Sequence, residues 1–139
     1  MVAAISIPAF MRYQQGAKRS EAELELEAIS RAARVYHAEH GALPAQTAPL
    51  TPARSCCEYP TKRCETTTAE WATPAWELLD FERTEPSYFR YGYQGDGATL
   101  MATAVGDLDC DGNEVTYVLT ITTAGGTPEV SLTRPTTPD

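Results

Sequence analysis

The strongest constraint in this sequence is one long helical pattern that runs from Ala9 to about His40. Ala, Leu, Glu and Arg dominate the stretch and β-branched residues are nearly absent from it, which favours a helix over a strand. Gly41 and then Pro44 supply the usual stop signals. Apolar residues recur at steps of three and four along one face of this helix: Ala22, Leu26, Ile29, Ala33 and Tyr36.

Two further expectations concern the width of the buried face and the N-terminal boundary of this helix. Leu24, Ala28 and Val35 flank the apolar stripe, and we expect them to widen the buried face. Pro8 is expected to kink the helix, or to mark its boundary with the apolar, uncharged opening of the chain.

The predicted helix is longer than the compact domain to which it belongs. A helix over 9–40 spans about 48 Å at 1.5 Å per residue, whereas a compact body of this chain length is roughly 37 Å across. We therefore expect residues 17–41 to pack on the domain and residues 1–16 to project from it. A projecting apolar end is a liability in a monomer and an interface in an assembly.

The charge of the chain is uneven and acidic. Lys and Arg number 11 against 19 Asp and Glu, which gives a formal net charge of -8. Residues 1–40 are balanced, so the whole excess lies in 41–139. We expect no nucleic-acid partner, because such binders need a basic surface. No uninterrupted apolar run reaches the ~18 residues that a membrane span requires.

The four cysteines, Cys56, Cys57, Cys64 and Cys110, lie in loop-rich sequence and predict disulfides formed in an oxidising compartment. A bond between the neighbours Cys56 and Cys57 would be strained, since their Cα atoms are only ~3.8 Å apart. We expect one of the two to pair with Cys64 and the other with Cys110. Reduced thiols are the alternative, and a zinc site is less favoured because no CxxC pair occurs.

The expected fold class is α+β, with the long N-terminal helix packed on a four-stranded antiparallel sheet. The chain forms one structural domain in three parts: the helix (1–41), an irregular connection (42–87), and a sheet with a C-terminal tail (88–139). A short helix is expected at 74–80, and the anchors of the connection are Trp71, Trp76, Leu79 and Phe81. Alternating patterns and turn residues predict strands at 88–93, 99–105, 115–122 and 129–133.

One acidic segment, Asp107-Leu-Asp109-Cys-Asp111-Gly112-Asn-Glu114, has the D-x-D-x-D-G spacing of the first half of a calcium loop. The pattern is not an EF-hand, because its twelfth position is Val118. Candidate calcium ligands are Asp107, Asp109, Asp111 and Glu114, completed by backbone or a neighbouring loop. An acidic turn whose Asp side chains cap backbone groups remains the alternative.

The sequence makes no case for an enzyme. It contains no Gly-rich phosphate loop, no GxSxG and no HExxH, and no feature isolates a catalytic carboxylate pair. His37 and His40 stand at i, i+3 near the end of the helix. Metal binding is one interpretation of this pair, and favourable placement near a helix C-terminus is the preferred one. No cofactor is required, and calcium is the ion that the sequence favours.

The segment Ala3-Ala-Ile-Ser-Ile-Pro-Ala-Phe10, followed by Tyr13, Ala17-Lys18 and Ser20-Glu21-Ala22, resembles the N-terminal helix of type IV pilins and the related pseudopilins. The resemblance covers about the first 40 residues, and the rest is similar in architecture alone. It implies a structural subunit that resides in the inner membrane and then self-assembles, through this helix, into an extracellular pilus at the cell surface. The positions expected to pack between subunits are Ile5, Ile7, Pro8, Phe10, Met11 and Tyr13.

Three features of that family have no counterpart in this sequence. The short leader with its cleavage site, the methylated first residue and the early glutamate all precede the matching segment, and position 5 is Ile. We therefore expect this sequence to begin inside the family's longer helix.

Two other functions remain open from the sequence. A pseudopilin of a type II secretion system shares the helix and differs in where it assembles. A secreted, disulfide-stapled calcium-binding module is the alternative from a different class, with the first helix packed only within its own chain. An upstream leader followed by ~20 apolar residues would favour the pilin and pseudopilin interpretations, whereas an ordinary signal peptide would favour the calcium-binding module.

Overall fold

The computed structural model describes the backbone of residues 2–136 and the side chains of residues 16–136. One long helix, α1 (Val2–His40), packs on an antiparallel sheet, which confirms the α+β class. The connection between them holds a single 3-10 turn (Cys56–Glu58) and two short helices, α2 (Thr68–Trp71) and α3 (Pro74–Leu79). The strands are β1 (Thr47–Thr51), β2 (Arg90–Gly95), β3 (Thr99–Gly106), β4 (Val115–Thr122) and β5 (Glu129–Thr133).

The sheet has five strands in the order β1-β2-β3-β4-β5, so the prediction of four strands was wrong. The additional strand, β1, lies in the region expected to be irregular and pairs with β2 at one edge of the sheet. Its sequence contains Pro49, which reads as a loop residue but is tolerated at a sheet edge. Gly92 on β2 permits the close approach, because a Cβ at this position would lie 2.8 Å from the Ala48 carbonyl oxygen.

The four predicted strands are present with small changes at their ends. β4 and β5 have the predicted bounds, β3 extends by one residue to Gly106, and β2 begins at Arg90 and ends at Gly95. Burial alternates along β4 because alternate side chains point to the core: Val115, Tyr117, Leu119 and Ile121 are all buried.

Helix α1 buries a narrower face than the sequence suggested. Ala22, Leu26, Ile29 and Ala33 have no exposed surface, as predicted, and they pack in the same core as β3 and β4. Of the three residues expected to widen this face, Ala28 is partly buried and packs against the core, as predicted. The prediction was wrong for Leu24 and Val35, since 67% and 57% of their surfaces are exposed. At 100° per residue, Leu24 lies about 200° from both Ala22 and Leu26, on the opposite side of the helix.

Aromatic residues hold the long connection against the sheet. The four predicted anchors are buried, and the predicted short helix is α3, which begins with Pro74. The Trp76 ring packs 5.1 Å from Trp71 and 5.3 Å from Tyr93 between ring centroids. The Trp76 indole N–H donates to the Thr51 hydroxyl at 3.0 Å, which fastens α3 to β1.

Candidate functional site

The first candidate site is the N-terminal part of α1. The helix has 39 residues and begins at Val2 rather than at Pro8, which corresponds to a length of about 58 Å. Its buried contribution to the described core starts only at Ala22. The side chains expected to pack between subunits lie outside the described residues: Ile5, Ile7, Pro8, Phe10, Met11 and Tyr13.

A largely buried carboxylate, that of Glu21, links α1 to the start of the sheet. Glu21 accepts hydrogen bonds from the Ser87 hydroxyl at 2.7 Å, from the Tyr88 backbone N–H at 2.9 Å and from the Tyr91 hydroxyl. These donors come from the segment that leads into β2 and from β2 itself. The contact fixes the position along α1 at which the sheet is attached.

Arg83 extends this polar contact by one helical turn. Its guanidinium lies 2.7 Å from the Glu25 carboxylate and 3.7 Å from that of Glu21. Burial raises the pKa of Glu25, and the nearby Arg83 charge opposes that rise. Burial is also the main cause that raises the pKa of Tyr91 far above its usual range, and the negative charge of Glu21 adds to it.

Both disulfides follow the expected pairing, with Cys56 bonded to Cys64 and Cys57 bonded to Cys110. The first closes a short loop and is buried together with Tyr59. The second joins positions 53 residues apart and ties the 3-10 turn to the acidic loop between β3 and β4. Each of the adjacent cysteines therefore fixes a different loop.

The acidic loop brings together three of its four candidate ligands. Carboxylate oxygens of Asp107, Asp109 and Asp111 all lie within 4.8 Å of one another. Glu114 is not part of this group, and its carboxylate lies 3.3 Å from the Arg90 guanidinium instead. Hard cations such as Ca²⁺ need more oxygens than three, so backbone carbonyls or water would have to complete a site here.

The same carboxylates also organise the turn. The Gly112 N–H donates to Asp107 at 2.8 Å, and the Asn113 N–H donates to Asp111 at 2.8 Å. The bond from Asn113 is the main cause that lowers the pKa of Asp111. The loop also contacts α1, since the Lys18 ammonium donates to the Leu108 carbonyl at 3.2 Å. Both the calcium interpretation and the capping interpretation are compatible with this geometry.

The sequence did not indicate the polar contact around Glu21. Glu21, Glu23, Glu25 and Glu27 alternate in one run, and composition cannot tell which of them is buried. The helical phase offers a partial signal, because Glu21 and Glu25 each precede a buried stripe residue by one position, Ala22 and Leu26 respectively.

No family model matches this chain, and no curated protein or solved structure matches it either. Among the helices in the described part of the chain, none combines the length and the apolar character needed to cross a membrane.

Proposed function

We propose that this protein is a structural subunit that self-assembles through α1 into an extracellular filament of the type IV pilus kind. The observation that carries the proposal is the mismatch between the helix and the body to which it is attached. α1 begins at Val2, whereas its buried contribution to the described core begins at Ala22. The buried residues of α1 run from Ala22 to Ala33, about three helical turns, and in this proposal the turns that precede Lys18 bind other subunits.

The sequence of the available part suits that role. Residues 2–11 carry no charge and include the apolar positions Ile5, Ile7, Phe10 and Met11. Apolar surface of this kind is stabilised when copies of the helix shield one another from water. In this proposal the helix resides in the inner membrane before assembly, and the acidic sheet domain faces outward from the filament at the cell surface afterwards.

The firm attachment of α1 to the sheet also supports the proposal. Glu21, Glu25 and Lys18 all bond to the sheet or to its loops. A helix that carries force along a filament needs its outer domain fixed at one place, and this contact lies at the start of the buried face. A pseudopilin of a type II secretion system would need the same attachment and would differ in the site of assembly.

The experiment places Asp at Ile7 in the full-length protein and measures the yield of sheared filaments by electron microscopy. A charge among packed helices is costly to bury, so Ile7→Asp is expected to abolish assembly. The matched control is Met101→Asp, which puts the same charge at an exposed apolar position on β3. Undiminished filament yield from Ile7→Asp contradicts the proposal.

The convergence of Asp107, Asp109 and Asp111 favours a second candidate function. In that proposal the protein is a secreted, disulfide-stapled module that binds calcium at the acidic loop, and α1 packs only within its own chain. The two candidates differ in what they require of residues 1–15, which the filament proposal needs and the calcium proposal does not.

A further inference from the structure

The outward side of α1 carries a second, exposed apolar stripe. Leu24 and Val35 are the two most exposed of the large hydrophobic side chains in the described part of the chain. They are eleven residues apart, which is three turns plus about 20°, so they face the same direction about 16 Å apart along the axis. Ala28 lies between them along the helix, but it is partly buried and packs against the core of its own chain, so it is not part of this surface. We call Leu24 and Val35 the outer stripe.

Exposed charges of both signs stand at the middle of the outer stripe. Glu27 and Arg31 are one turn apart and are both exposed. Glu27 pairs with Arg34 at 3.0 Å, whereas Arg31 has no ion pair within the described residues. Arginine is enriched at protein interfaces relative to the rest of the protein surface.

The apolar and charged residues of this surface match those of a second copy when the two helices run antiparallel. When a second α1 lies antiparallel, with the two-fold axis between positions 29 and 30, Leu24 faces Val35 of the second copy. Glu27 then lies beside Arg31 of the second copy, and each contact occurs twice. A self-complementary patch of this kind is what a two-fold dimer requires. A parallel pair in register would bring the two copies of Arg31 together across the stripe, so their charges oppose it.

We propose that the outer stripe of α1 binds a second copy of this chain in an antiparallel, two-fold dimer. Each sheet lies on the far side of its own helix, since the buried face and the outer stripe point in opposite directions. The dimer directs the two N-termini in opposite directions. It is therefore a contact distinct from the one that joins subunits along the proposed filament, and it does not depend on that proposal.

The first test exchanges the charges and measures the dimer dissociation constant of the full chain by sedimentation velocity. Glu27→Arg and Arg31→Glu each replace two attractions by two repulsions, and each is expected to weaken the dimer by ~10-fold. The double variant Glu27→Arg/Arg31→Glu restores the complementarity and is expected to return to within ~3-fold of the original. A double variant as weak as the single variants, or single variants without effect, overturns the proposal.

The second test determines the direction of the two helices. All four native cysteines are in disulfides, so single cysteines can be introduced at Leu24 and at Val35. Oxidation of a mixture of Leu24→Cys and Val35→Cys is expected to give a 24–35 cross-link. Leu24→Cys alone is expected to give little product, because two copies of position 24 lie about 16 Å apart in this dimer. Equal cross-linking of Leu24→Cys alone overturns the antiparallel arrangement.

Discussion

At the scale of the residue, Glu21 has the largest structural role among the glutamates of α1. Its carboxylate is 11% exposed and accepts three hydrogen bonds, whereas Glu27 is about half exposed and pairs with Arg34 on the surface. Hydrogen bonds to a charged, desolvated acceptor stabilise a fold more than exposed ion pairs do. The attachment of helix to sheet should therefore respond strongly to this one side chain.

Substitution of Glu21 by Gln tests this role. The amide keeps the size of the side chain but turns one acceptor into a donor that faces the Ser87 and Tyr91 hydroxyls. We expect a loss of about 2–3 kcal/mol in the free energy of unfolding, measured by urea denaturation. The control Glu39→Gln changes an exposed residue at the end of α1 and should stay within ~0.5 kcal/mol. Equal, small effects of both variants would show that the contact contributes little.

At the scale of the element, the sequence predicted what local patterns encode. The 3.6-residue period of Ala22, Leu26, Ile29 and Ala33 located the buried face of α1, and β-branched alternation located β4. β1 escaped detection because its short, proline-containing sequence becomes a strand only by pairing with β2, about forty residues later in the chain. The sequence also did not predict the exposure of Leu24, since apolar character alone does not show which side of α1 the sheet covers.

The acidic loop allows a prediction at the same scale. If the three carboxylates bind calcium, Ca²⁺ at ten times its dissociation constant adds about 1.4 kcal/mol of stability, and the melting temperature rises by a few degrees. Asp107→Asn/Asp111→Asn is expected to abolish that rise. Asp96→Asn, in the turn between β2 and β3, also removes a carboxylate that accepts backbone N–H groups and should retain it. If millimolar calcium gives neither a thermal shift nor calorimetric heat, the calcium proposal fails. The three carboxylates would then serve only to cap backbone N–H groups of the turn.

At the scale of the whole molecule, the described core includes only part of the long helix, from Ala22 to Ala33. Core residues come from all three parts of the chain, from Ala22 on α1 to Ile121 on β4, and the two disulfides hold the middle part to itself and to the acidic loop. The sequence predicted a packed part of the helix from the period of its apolar residues, and Ala22, Leu26, Ile29 and Ala33 confirm it. It could not predict the place of attachment, because the donors to Glu21 are 66 to 70 residues away in the chain.

Removal of residues 1–15 separates assembly from folding. Among the side chains that the structure describes, the buried face of α1 begins at Ala22, and Lys18 contacts the sheet domain four residues earlier. If the filament proposal holds, the shortened protein should melt within ~2 °C of the full chain but form no filaments. Removal of residues 1–25 also deletes Glu21 and Ala22, and this control should lose several kcal/mol of stability. A loss of many degrees on removal of residues 1–15 alone would mean that this segment packs on its own sheet domain. The helix would then serve its own fold rather than its neighbours, and the filament proposal would fail.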